Sequence, residues 1–205
     1  MSGSSGDGLE IERKWLLHRL PSRLDDRVGA GDPRMEIWRI RQGYLTTPVA
    51  GDLAAIRDRV VSDAEVPTVG RIREIRDRDG AVRYIHTLKH GSGLVRREFE
   101  RPITGAAFEA AWSETAGRRL EKVRWRIPEG GLLWEIDRFR SPAVVLAEVE
   151  AIDREAALGI QPPDWLAACI DREVTNDPEF TNAELAFRSA RAGHGSPLEH
   201  EGDAG

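Results

Sequence analysis

Apolar and charged residues alternate along most of this chain. In "EIERKWLL", Glu10, Glu12 and Lys14 share one face while Ile11 and Trp15 share the other. A period of two is that of a strand with two unlike faces. The same alternation predicts strands at 11–17, 36–45, 69–76, 83–89, 94–103, 122–127, 132–139 and 144–152. Turn sequences separate most of them: "DRDG" at 77–80, "HGSG" at 90–93, "PEGG" at 128–131 and "SP" at 141–142. The first is short enough to close a hairpin. A helical period appears over 104–119, where Phe108, Ala111, Trp112 and Thr115 fall at i, i+3, i+4 and i+7, with Thr104 as the N-cap. A short helix is predicted to start near Asp153, and a last one over 181–192, capped by Thr181 or Asn182. Residues 46–67 lack alternation and carry Leu53, Ile56, Val60 and Val61 at near-helical spacing, which predicts an insertion containing a helix. About eight strands, mostly sequence neighbours, with few helices, predict an antiparallel barrel or sandwich.

The chain has 205 residues, 40% of them hydrophobic, enough for one domain with a sizeable core. The Ser/Gly-rich residues 1–8 are expected to form a flexible leader. They have no apolar h-region and so do not read as a signal peptide. Residues 191–205 are expected to form a flexible tail, which leaves 9–190 as the domain. A net charge of −5 gives no global attraction to nucleic acid or an anionic membrane. No apolar run approaches the roughly 18 residues that span a bilayer. The single cysteine, Cys169, cannot form an internal disulfide, which fits a reducing cytoplasm. The expectation is a cytoplasmic protein with neither nucleic-acid nor membrane partner, and a homodimer is left open.

The charged faces repeat the opening pattern. Arg71 pairs with Arg73, Thr87 with Lys89, Glu98 with Glu100, Lys122 with Arg124 and Arg126, Glu135 with Asp137, and Glu148 with Glu150. Same-face neighbours on a strand sit roughly 6.5–7 Å apart, from a rise of about 3.3 Å per residue. A solvated outer face of an antiparallel sheet gives this alternation. A barrel with its polar face inward gives it too. Like charges at i, i+2 raise the electrostatic free energy unless a counter-ion is present, and their recurrence on six strands, with Thr87 and Lys89 a near match on a seventh, favours the second reading. Carboxylates suit a hard divalent cation such as Mg²⁺ or Mn²⁺. Arginine and lysine suit an anion with several separated charges, above all phosphates. A metal-chelated polyphosphate, a small-molecule ligand, satisfies both sets.

"EIERK" resembles the E-x-E-x-K signature of the CYTH superfamily, the triphosphate tunnel metalloenzymes. "RQGYL", "RIR", "TLK", "REFE", "EKVRW", "EIDRF", "LAEVEA" and "EVTNDPEFTNAELA" follow in the order of the small bacterial members, over residues 9–190. The superfamily holds bacterial inorganic triphosphatases, thiamine triphosphatase, class IV adenylate cyclases and fungal RNA triphosphatases. The resemblance implies an α+β, mainly antiparallel fold: an eight-stranded closed, tunnel-like barrel with a charged interior and a few flanking helices.

By position it implies metal ligation by Glu10, Glu12, Glu148 and Glu150, with Glu135 and Asp137 as further acids for a second Mg²⁺ or Mn²⁺ or its waters. Lys14, Arg71, Arg73, Lys89, Lys122 and Arg124 would contact phosphates, and Lys14, Glu150 and Tyr44 would take part in catalysis. Tyr44 reads equally as a core-edge residue. Glu98 and Glu100 match the acidic strand, and Arg126 extends the basic face without a family counterpart. "DPEF" replaces the basic and aromatic pair that many small members carry before the last helix, and 46–67 exceeds the corresponding turn. The implied activity is metal-dependent hydrolysis of a triphosphate phosphoanhydride, first of all inorganic tripolyphosphate. The alternatives are thiamine triphosphate or another organic triphosphate, adenylate cyclisation, for which no purine-reading motif is visible, and polyphosphate binding without turnover. His18, His86, His90, His194 and His200 lack metal-ligand spacing and read as surface or packing residues. Cys169 reads as a small apolar filler, and Trp15, Trp125 and Trp134 fall on the apolar, core-forming face.

Overall fold

The alternating segments pair into one antiparallel sheet in the computed structural model, which describes residues 8–24, 34–45, 68–90 and 96–192. For residues 8–10, 68–69, 89–90, 96–99 and 192 only the backbone is described. The strands are β1 (Gly8–Leu17), β2 (Glu36–Leu45), β3 (Thr68–Arg76), β4 (Val82–His90), β5 (Arg96–Ile103), β6 (Arg119–Glu129), β7 (Leu132–Phe139), β8 (Val145–Ala151) and β9 (Ile170–Glu173). Their order is β5-β4-β3-β2-β6-β7-β8-β1-β9. Residues Gly8, Leu9 and Glu10 of β1 also pair with Glu98, Arg97 and Arg96 of β5.

The expected α+β, mainly antiparallel class is observed, with nine strands among the described residues rather than eight. The added strand is β9, held on β1 through Trp15–Glu173 and Leu16–Arg172. Its sequence "IDRE" is too short, and carries too few apolar positions, for alternation to mark it. The α-helices are α1 (Gly105–Ser113), α2 (Arg154–Gly159), α3 (Asp164–Ala167) and α4 (Asn182–Ala192). Only α3 had no counterpart in the sequence pattern.

Local chemistry sets the boundaries. Thr104 caps α1, its side chain accepting from Ala107 N at 3.2 Å, and Asp153 caps α2 by accepting from Ala156 N at 2.7 Å. Thr181, not Asn182, caps α4, accepting from Glu184 N at 3.2 Å. Helix α1 stops at Ser113, short of the predicted 119, and Gly117 (φ 74°) lies in the turn that leads into β6. Helix α4 ends at Ala192, where the helical pattern over 181–192 ends it. Most of the leader, the whole 46–67 insertion and the tail from 193 lie outside the described residues.

The two faces of the sheet separate by polarity. Trp15, Trp125, Trp134, Ile127, Ile136, Ala147 and Val149 pack with Leu24, Met35, Ile160 and Leu166 in the largest buried cluster, confirming the three core tryptophans. At about 25 cal/mol per Å², each buried indole of about 200 Å² contributes up to roughly 5 kcal/mol of transfer free energy. Phe108 of α1 packs on Leu45 and Ile72. At one end of the sheet, Leu185 and Ala186 of α4 join Tyr44, Leu120, Phe139 and Leu146. The apolar face is therefore spent on the core, and the charged face lines a cavity. Among the described residues no helix is long and apolar enough to cross a membrane.

Candidate active site

Ten of the expected site residues line one cavity of about 440 Å³: Glu12, Lys14, Tyr44, Arg71, Arg73, Lys122, Arg124, Glu135, Glu148 and Glu150. Six strands deliver them, each through every second residue. Glu10, Lys89 and Glu98 belong to strands whose side chains are not described there; in the backbone ladder Lys89 stands opposite Glu98. Asp137 is not part of the lining. It is fully buried behind the wall.

Cross-strand register turns separate charge pairs into a row. Glu36, Arg126, Glu135, Glu148 and Lys14 are successive direct partners across β2, β6, β7, β8 and β1. Arg126 donates to Glu36 at 2.7 Å and to Glu135 at 2.9 Å. Arg124 donates to Glu135 and, at 2.8 Å, to Glu148. Lys14 Nζ lies 2.9 Å from Glu148 Oε1 and 3.3 Å from Glu12 Oε1. Three of the pairs in the row, Glu36–Arg126, Arg126–Glu135 and Glu148–Lys14, are of opposite sign, which stabilises a sheet, while the like-charged pair Glu135–Glu148 is bridged by Arg124.

Asp137 holds the basic wall in place. Its oxygens accept from Arg124 Nε at 2.7 Å, Arg124 Nη2 at 2.6 Å and Lys122 Nζ at 2.5 Å. Both carboxylate oxygens are thus taken up by cations, so Asp137 serves as their buried counter-ion. Arg71 and Arg73 converge on Glu100, which also accepts from Thr87 Oγ1 at 2.9 Å. Glu100, expected only to match an acidic strand, thereby fixes two predicted phosphate contacts.

The electrostatics follow from burial and these partners. Burial alone would push the Glu148 carboxyl up, but Lys14, Arg124 and Lys122 outweigh it and hold Glu148 well below the usual carboxylate range. Burial likewise opposes the charge on Lys14, and Glu148 and Glu12 more than compensate, raising it. Lys122 goes the other way: burial, then the neighbouring Arg124, pull it down to about 8 against Asp137 and Glu148. Tyr44 is pushed up to about 12 by burial, against Arg71, Lys14 and Arg73. Its phenol stays protonated and accepts from Gln42 Nε2 at 2.7 Å.

Sequence reading missed Gln42, Trp38, Arg83 and the helix-start residues Thr181 and Asn182, all of which line the cavity. Counting back in twos from Tyr44 gives Gln42 and Trp38, and from Lys89 gives Arg83, so the alternation itself held the signal. The "DPEF" stretch forms a 3-10 turn that buries Phe180 against α4 and sets Thr181 and Asn182 at the cavity. Among the histidines, His18 is exposed and His86 buried; Cys169 is buried and unpaired.

No family model matches the chain. It is, however, 35% identical over 183 residues to the inorganic triphosphatase of Nitrosomonas europaea, an alignment covering 87% of this chain and 97% of that one. The chain belongs to the inorganic triphosphatase family. A second inorganic triphosphatase, from Acetivibrio thermocellus, is 32% identical over 118 residues, covering 56% of this chain and 69% of its own. A crystal structure of an inorganic triphosphatase matches with a TM-score of 0.52 at 33% identity, over 87% of this chain and 94% of the other. The CYTH resemblance that begins at "EIERK" agrees with this triphosphatase kinship.

Proposed function

We propose that this triphosphatase hydrolyses a phosphoanhydride bond of inorganic triphosphate, bound with Mg²⁺ or Mn²⁺ inside a sheet that closes into a tunnel. One observation carries the reading: a single cavity sets Glu12, Glu148 and Glu150 beside Lys14, Arg71, Arg73, Lys122 and Arg124. Closure is supported by β1, which pairs with β8 along residues 11–17 and with β5, the far end of the strand order, along residues 8–10.

The donor set suits a hard divalent cation. Among the described residues no three acidic, histidine or cysteine side chains converge tightly enough to hold an ion unaided. Mg²⁺ asks for only one or two protein carboxylates, with waters or phosphate oxygens completing its shell. Glu12 and Glu148 already share a cation, the Lys14 ammonium. Glu12, Glu148 and Glu150, with Glu10 by position, would hold the metal. When bound, it would neutralise phosphate charge and activate water.

The chain's own residues do the rest by exchanging partners. A metal-chelated triphosphate offers positive charge to the carboxylates and negative charge to the cations. Lys14 and Arg124 can then leave Glu148 for phosphate oxygens without either set losing a counter-ion. Lys122 stays fixed by Asp137. Arg71 and Arg73, whose shared carboxylate Glu100 is 42% exposed at its side chain, supply forked donors along the opposite wall. Tyr44, neutral and oriented by Gln42, can donate to a phosphate oxygen or to water. Lys89 extends the basic set by position. Fixed donors aimed at developing phosphoryl charge are the main catalytic resource in such transfers.

The ligand is a small molecule, with no nucleic acid or membrane in the scheme, and the lone cysteine supports a cytoplasmic setting. Phosphate release from tripolyphosphate, pyrophosphate, thiamine triphosphate and ATP, each with Mg²⁺, Mn²⁺ or excess chelator, tests the proposal. Release from tripolyphosphate that stops in chelator is expected. Turnover unaffected by chelator would remove the metal, and binding without release would leave a polyphosphate-binding module.

A further inference from the structure

We infer that Arg83, Trp38 and Arg126 form a selectivity element that reads the free, charged end of inorganic triphosphate and disfavours triphosphates esterified to an organic group. This rests on the triphosphatase reading above. The Arg83 and Arg126 guanidinium carbons each lie 4.2 Å from the centre of the Trp38 ring. Strand β2, which carries Trp38, runs between β3 and β6. Arg126 comes from β6, and Arg83 comes from β4, beyond β3. The two cations therefore approach the indole from opposite sides of its strand. All three residues line the cavity, and Trp38 is the only indole among the lining residues.

The two arginines differ in how they are held. Arg126 is tied to Glu36 and Glu135. Arg83 is exposed, and among the described residues it has no carboxylate partner; its recorded contact is the Trp38 ring. Every other cation lining the cavity is engaged by a carboxylate. An arginine on an aromatic face keeps its charge and its planar fork while giving up much of its freedom to rotate. Arg83 is thus an oriented donor with its hydrogen-bonding capacity in reserve.

The location decides what such a donor reads. Helix α4 packs on Tyr44 and Phe139 at one end of the cavity. Arg83 and Trp38 sit at the other, where β2 begins and the β3–β4 hairpin turns. Inorganic triphosphate carries ionised phosphate at both ends. A nucleoside or thiamine triphosphate ends on one side in an ester, with less charge and more bulk. Paired guanidiniums at the end away from α4 favour the molecule that is ionised at both ends. With two guanidiniums each 4.2 Å from the ring centre, a base or thiazole would have to compete with a cation to stack on the indole. Arg83 would touch the substrate, while Trp38 is a positioning residue acting through Arg83 and Arg126.

Steady-state kinetics and calorimetric binding with tripolyphosphate and ATP, on wild type, Arg83→Ala, Arg83→Lys, Trp38→Leu and Trp38→Phe, test this. For Arg83→Ala the KM for tripolyphosphate should rise about tenfold with kcat within about twofold, while values for ATP move less than about twofold, the pattern of a lost ground-state contact. Trp38→Leu should lose the same preference although the cations remain, and Trp38→Phe and Arg83→Lys should restore part of it. Equal losses on both substrates, an unchanged preference, or tighter ATP binding in wild type than in Arg83→Ala would overturn the inference. Wild type that binds tripolyphosphate in preference to ATP but releases no phosphate would overturn the triphosphatase reading instead, and the variants' binding ratios would still decide the role of Arg83.

Discussion

Lys14 and Glu148 are direct cross-strand partners on β1 and β8, and their side chains meet at 2.9 Å inside the cavity. The pair explains how an acidic and a basic cluster coexist before any ligand arrives: each is the other's counter-ion. The same pairing predicts how the protein responds to acid. Glu148 titrates lower in the folded than in the unfolded chain, so the unfolded state takes up its proton first as pH falls. Its stabilising contribution is complete above the ordinary value of 4.5 and is lost as pH drops below it. The stability gap between wild type and Glu148→Gln, measured by chemical unfolding in chelator, should be widest near neutral pH and shrink below 4.5. A gap that stays constant down to acid pH would show that Glu148 is not the group that Lys14 holds.

Glu12 separates folding from ligand binding. It shares Lys14 with Glu148 but lies more open, with 20% of its side chain exposed. Glu12→Gln should leave the chelated protein about as stable as wild type, within about 0.5 kcal/mol, as for a typical surface change. With Mg²⁺ and tripolyphosphate at about 100 times the wild-type dissociation constant, wild type should gain about 2.7 kcal/mol, while a variant weakened about a hundredfold should gain only about 0.4 kcal/mol. Thermal unfolding with and without both ligands reads the difference, and equal gains would remove Glu12 from the metal site.

Arg71 and Arg73 differ from the rest of the basic wall because they share one half-open carboxylate, Glu100. Arg73→Ala should lower kcat/KM for tripolyphosphate by the equivalent of about 2–4 kcal/mol, the usual cost of a donor aimed at developing charge. Arg73→Lys should recover only part, because an ammonium lacks the planar fork. The two alanine variants should also combine non-additively, since they act on a common partner. Wild-type kinetics in Arg73→Ala would end the role proposed for it.

Much of this arrangement was legible in the chain because strand alternation is local. "EIERK", "RIR", "EKVRW" and "LAEVE" place their charges on one face by counting alone, and Thr104 and Asp153 cap their helices as their position before each helix suggests. What counting cannot supply is pairing between distant strands. Asp137 reads as one more cavity acid until β6 brings Arg124 and Lys122 onto both of its oxygens. Glu100 likewise becomes the anchor of two arginines only through the β3–β4–β5 ladder. Strand β9 stayed hidden because four residues with one apolar side chain carry no period, and its partner β1 is more than 150 residues away in sequence.

The "RQGYL" motif carries one more consequence, at Gly43. The turn after α1 lies against β2 there, with Tyr44 N donating to Arg118 O at 3.0 Å and Arg118 Nε donating to Tyr44 O at 3.1 Å. A Cβ on residue 43 would stand 2.7 Å from Thr115 Cβ, Cγ2 and Oγ1, closer than carbon atoms pack. Thr115 cannot easily yield: it is fully buried, donates to Trp112 O at 2.8 Å and accepts from Arg119 Nε at 2.9 Å. Gly43→Ala should therefore destabilise by about 1–3 kcal/mol, the range for overpacking a filled site. It should also lower turnover, because the same stretch of backbone carries Tyr44 into the cavity. Thr115→Gly removes the clashing atoms but loses both hydrogen bonds, so it is costly alone. If the clash is the cause, the double variant should be more stable than the sum of the two single losses predicts, by at least about 0.5 kcal/mol in a double-mutant cycle. Simple additivity would mean that the glycine is required for another reason.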